Sequence, residues 1–94
     1  MQEKAFMIVM TNQRPLNQEV ILAHVNHLKA LDHQKRLVFC GPYVNKPGGI
    51  VIIYANDIVE AEKLAKQDPF IAQGFKTYEI IEVEEAHKDN HYLI

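Results

Sequence analysis

The run Ala5–Met10 constrains this chain more than any other feature, because it has no polar side. In an extended strand Phe6, Ile8 and Met10 point one way and Ala5, Met7 and Val9 the other. A strand that is apolar on both faces belongs inside a sheet covered on both faces, so Lys4–Thr11 reads as a central strand. At 94 residues and 48% hydrophobic, the chain has a modest core and room for one domain. Its own helices can cover one side of the sheet. A second copy is the economical cover for the other, so a homodimer is expected.

The remaining pattern supplies the elements. Asn17, followed by Gln18 and Glu19, opens a helix that runs to about Lys35, with Lys35 and Arg36 at its negative end. Arg36–Val44 reads as a second strand, disturbed at Gly41-Pro42 because proline cannot donate to a ladder. Lys46-Pro47-Gly48-Gly49 closes a hairpin into the β-prone strand Ile50–Ala55. Asn56 and Asp57 cap a second helix, Ile58–Gln67, whose Ile58, Ala61, Leu64 and Ala65 form a packing face. Asp68-Pro69 ends or restarts it. Phe75–Glu84 alternates as the last strand, and 85–94 is a polar tail whose Tyr92, Leu93 and Ile94 could dock on the same fold or on a partner. The order β-α-β-β-α-β is the split βαβ of an α+β, ferredoxin-like sandwich: a four-stranded antiparallel sheet with two helices on one face. One domain over 1–94, with a core of about 4–84, is expected.

Several classes of function fall away. A formal charge of −2 creates no positive field for nucleic acid. The longest apolar stretch, Ile50–Ala55, is far short of the ~20 residues of a membrane span. No cationic segment precedes an apolar one at Met1–Met10, and the single cysteine, Cys40, excludes an internal disulfide. A soluble, cytoplasmic protein is expected, with Cys40 a core thiol beside Phe39. Lys46-Pro47-Gly48-Gly49 lacks the glycine spacing of a nucleotide cradle.

One residue in the first helix breaks the apolar pattern. On a helical wheel Val20, Ile21, Leu28 and Leu31 share a face, and His24 projects from its middle. A buried imidazole needs hydrogen-bond partners or loses roughly one to a few kcal/mol to desolvation. Asp68 is the candidate partner, since an aspartate before Pro69 can cap the following turn and still offer an oxygen to a neighbour. Two readings stand side by side. In one, Asp68 orients His24 as a general acid/base; in the other, the pair is a structural lock between helix and turn. His27 lies near the same face, but two imidazoles are not a metal site, and with no HExxH or CxxC neither metal nor cofactor is expected. His33, His87 and His91 read as solvated. Gly41-Pro42-Tyr43 either lines a pocket, the glycine admitting a ligand to the backbone, or makes a plain bend with a packing tyrosine. Tyr54 and Phe70 read as core or pocket wall.

The helical His24, Arg36-Leu37 opening a strand, Gly41-Pro42, a glycine-bearing hairpin, Glu60-Ala61 and Asp68-Pro69-Phe70 together resemble the YciI-like proteins. The likeness runs from about Ala5 to Val83. It departs at Val20, Ile21 and Leu22, where the family often has a basic residue, and at Lys35, where it commonly has glycine. The resemblance implies a dimeric α+β barrel whose active site rests on a histidine and an aspartate, carried here onto His24 and Asp68. It also implies a small-molecule enzyme, since relatives in the fold include isomerases, dehydrochlorinases and monooxygenases of small cyclic or aromatic compounds. The activity expected is a cofactor-independent proton transfer, isomerisation or elimination. A binding module without turnover and a structural dimerisation domain are the alternatives.

Overall fold

The four strands form one antiparallel sheet in the order β2-β3-β1-β4, in a computed structural model that describes residues 3–94. Met1 and Gln2, the start of the expected 1–94 domain, lie outside the described residues. The strands are β1 (Lys4–Asn12), β2 (Leu37–Pro42), β3 (Gly49–Ala55) and β4 (Lys76–Val83), and the helices are α1 (Gln18–His33), α2 (Ile58–Gln67) and α3 (Pro69–Ala72). This is the expected α+β, ferredoxin-like arrangement. α3 is an addition, and it arises because Pro69 disfavours helix at Asp68 yet is well placed as the first residue of a new turn.

β1 is central, as its two apolar faces require, pairing with β3 on one side and β4 on the other. Phe6, Ile8 and Met10 are buried against the helices together with Val51, Ile53, Leu31, Ala61 and Ala65. A smaller cluster of Val20, Phe70 and Phe75 closes the end near Leu16. α1 turns Val20 and Leu31 inward but leaves Ile21 39% exposed, and Ile58 at the start of α2 is likewise exposed. The expected apolar stripes were therefore each one residue too wide.

Local chemistry sets the element ends. Asn17 accepts the Val20 N–H at 2.8 Å and Asp57 accepts the Glu60 N–H at 2.8 Å, two ordinary N-caps. α1 closes with Lys35 in the left-handed region at φ 61°, the Lys35 and Arg36 N–H groups returning to Asp32 and Leu31. That conformation is why a glycine would suit the position. α3 closes the same way with Gly74 at φ 75°.

β2 is an edge strand, so Pro42 is tolerated and pairing continues through Pro42↔Gly49. A bulge between Leu37 and Phe39 re-phases the strand, so that Leu37 and Cys40, opposite Ile53 and Val51, both face the helices. Gly41 makes no steric demand on the strand end, because a Cβ built there meets nothing within 4 Å. The hairpin's need for glycine is at Gly48, whose φ is 118° and whose Cβ would collide with the Met10 carbonyl oxygen. The tail ends in a 3-10 segment, Lys88–Leu93, with no buried residue; Tyr92, Leu93 and Ile94 are exposed and do not dock on this fold.

Candidate active site

α1 and the Asp68 corner carry the site. His24 and Asp68, on different elements, meet through Nδ1, which lies 2.9 and 3.0 Å from the two carboxylate oxygens. Asp68 is 3% exposed because it sits where α2 ends and α3 begins, and its Oδ1 also accepts the Phe70 N–H at 2.9 Å. With the carboxylate on Nδ1, the Nδ1–H tautomer is the one held, which leaves Nε2 as the basic nitrogen. Phe70 stacks on the imidazole with centroids 3.9 Å apart and planes 16° from parallel, so the ring is fixed in orientation as well as in tautomer.

His24 opens on a cavity of about 340 Å³ between α1 and the β2–β3 end of the sheet. Its walls are largely apolar, with Met10, Val25, Leu28 and Val51 among them; Cys40, Gly41 and Pro42 complete the β2 side. Of the other residues singled out in the sequence, Phe70 touches His24 from behind rather than lining the cavity. Tyr43 is not a wall either: its ring lies beside Gly48, with the Lys46 ammonium 5.2 Å above it.

One basic residue belongs to the site although the sequence pattern did not single it out, and a second, His27, lies close enough to feel it. Lys76, at the start of β4, is only 7% exposed and lines the cavity, with Nζ 4.2 Å from the centre of the Phe70 ring. Burial lowers its pKa from the usual lysine range, against the opposing pull of the Asp68 charge. The available signal was the alternation of β4, which puts Lys76 on the same face as Tyr78 and Ile80. His27 is half-buried rather than solvated; burial lowers its pKa, Asp68 opposes and His24 adds to the lowering. Among the described residues no cluster of three metal-ligating side chains occurs, and no helix is long and apolar enough to cross a membrane.

The site is thus an oriented histidine at an apolar cavity on a ferredoxin-like α+β sandwich. The YCII-related domain profile matches residues 5–84, and the chain belongs to that family. It is similar to the uncharacterized protein YjpA of Bacillus subtilis (strain 168), 34% identical over 68 residues that cover 72% of this chain and 79% of that protein. Its fold is similar to 5-chloro-2-hydroxyhydroquinone dehydrochlorinase (TftG) from Burkholderia phenoliruptrix AC1100, solved with 2,5-dihydroxybenzoquinone. The TM-score is 0.71 at 20% identity, over 90% of this chain and 97% of that one.

Proposed function

We propose that this protein is a small, cofactor-independent enzyme that moves a proton on a small organic molecule, with His24 as acid/base and Asp68 as its orienting partner. The observation that carries the reading is the Nδ1–Asp68 contact behind an imidazole that lines an apolar cavity. In the forward step a substrate C–H bond breaks and Nε2 gains the proton. The electron pair passes into an adjacent carbonyl or ring system, and Asp68 balances the imidazolium. Return of the proton to another atom completes an isomerisation; departure of a leaving group completes an elimination. A cavity of about 340 Å³ suits a molecule of one ring, and Gly41 and Pro42 would contact it. The fold-level likeness to a dehydrochlorinase of a hydroxylated ring supports cyclic or aromatic substrates. We further propose a cytoplasmic homodimer built through the uncovered face of the sheet.

A second reading, a structural lock, draws on the Asp68 bond to the Phe70 N–H, which gives the carboxylate a job without any substrate. The two separate by solvent-deuterium incorporation into a panel of small ring-hydroxylated compounds, 5-chloro-2-hydroxyhydroquinone included, followed by NMR. The enzyme reading expects incorporation by the wild type and none by His24→Ala, with binding kept. A wild type that binds panel members without exchanging any of their carbon-bound protons is a binding module, and one that binds none leaves the lock.

A further inference from the structure

We infer that Lys76 is the anion-holding group of this cavity, and that the protein selects small ring compounds through an ionised phenol or enol oxygen placed against the Lys76 ammonium. The inference rests on the proposed reading of the cavity as a small-molecule site. A lysine almost wholly removed from solvent is ordinarily paired with a carboxylate. Among the described residues, Lys76 is in no ion pair. Asp68, the acidic group whose charge it feels, is committed to His24 Nδ1 and the Phe70 N–H. The Phe70 ring at 4.2 Å holds the ammonium in place but gives it no anionic oxygen in direct contact. The cross-strand neighbour Asn12 adds a buried Oδ1 without a hydrogen-bond partner, so this end of the sheet is polar and unfinished.

The cavity around that charge is otherwise apolar, so a negative oxygen entering it meets one cation in a low-dielectric setting, where the attraction far exceeds its value in water. Lys76 and His24 both line this cavity, so one small molecule held in it faces both the lysine and the histidine. The charges then match the chemistry. In the reverse of the proton abstraction, the ionised oxygen held by Lys76 becomes a carbonyl as its electron pair shifts to the ring and a carbon takes the proton from the imidazolium Nε2; Lys76 balances the oxygen's charge and Asp68 the imidazolium's before the transfer. A structural role for Lys76 makes no such demand, since a methionine of similar length would pack there without a desolvation cost.

The test uses para-nitrophenol, whose phenolate absorbs separately from the phenol, and its neutral ether para-nitroanisole. Wild-type protein should bind the phenolate about tenfold more tightly than the phenol, read as phenolate absorbance at a pH where the free dye is protonated. Lys76→Met should keep binding para-nitroanisole and lose the phenolate preference, and Lys76→Gln serves in its place if the methionine variant does not fold. A wild type that binds phenol and phenolate equally, or a preference that survives in either variant, overturns the role of Lys76 and leaves the acid/base reading intact. Binding of neither dye nor ether overturns the small-molecule cavity itself, and the inference with it.

Discussion

At the scale of single residues, the site depends on which nitrogen of one imidazole carries a proton. Asp68→Asn keeps an oxygen for the Phe70 N–H but turns an amide N–H toward Nδ1, which favours the opposite tautomer and puts the proton on Nε2. The acid/base reading therefore expects a folded variant whose exchange rate falls about 10²–10⁴-fold, measured with the same deuterium assay. Equal rates would reduce the pair to a lock. His27 gives a second expectation, this time in stability. Its folded pKa lies below the ordinary 6.5, so below that pH the unfolded chain binds more protons and stability falls. The contribution is complete above pH 6.5 and is lost as the pH drops beneath it. In urea titrations stepped from neutral to mildly acid pH, His27→Gln should lose less stability than the wild type. Parallel losses would show that His27 titrates as it does in the open chain.

At the scale of elements, the hairpin shows where a glycine matters. Gly48→Ala forces a β-carbon against the Met10 carbonyl in a backbone region that suits glycine, and an unfolding free energy lower by about 2–4 kcal/mol is expected. Gly41→Ala projects into open space and should change stability by no more than about 0.5 kcal/mol. Equal denaturant midpoints for the two variants would contradict the hairpin geometry. The contrast also marks how far the sequence could be read. The central place of β1, both N-caps and the His24–Asp68 contact follow from a strand apolar on both faces, from Asn17 and Asp57 ahead of helical patterns, and from the partner a buried imidazole needs. Gly48 and Gly41 look alike on paper, since only the folded sheet brings Gly48 against the Met10 carbonyl with φ at 118°. The β2 bulge leaves no mark in composition, yet it turns Cys40 toward the cavity. Lys76 was hidden for a related reason, because a charge at a strand's first position reads as a solvated end until α3 is seen to fold over it.

At the scale of the whole molecule, the sheet is finished on one face only. The helices cover Phe6, Ile8, Met10, Val51 and Ile53, while the other face presents Met7 and Val9 of β1, Ile50, Ile52 and Tyr54 of β3, Phe39 of β2 and Ile81 of β4. Phe39 is 61% exposed and Ile81 39%; the face is largely apolar, with Glu79 and Thr77 at its β4 edge, and an apolar surface of this extent is what chains cover by association. A second copy is the proposed cover, since two such faces packed together bury both central strands on both sides. Sedimentation at micromolar concentration should then give twice the 10.8 kDa chain mass. Ile52 lies mid-sheet, opposite Met7 and Phe39, so Ile52→Glu places a carboxylate in the middle of the joint, where desolvation opposes it without a partner. The variant should sediment as a monomer with its His24–Asp68 site intact, because that pair lies on the helix side of the sheet. A wild type that stays monomeric at about 100 μM, well above the Kd range of stable interfaces, would show that the open face is tolerated in water and would remove the dimer from the proposal.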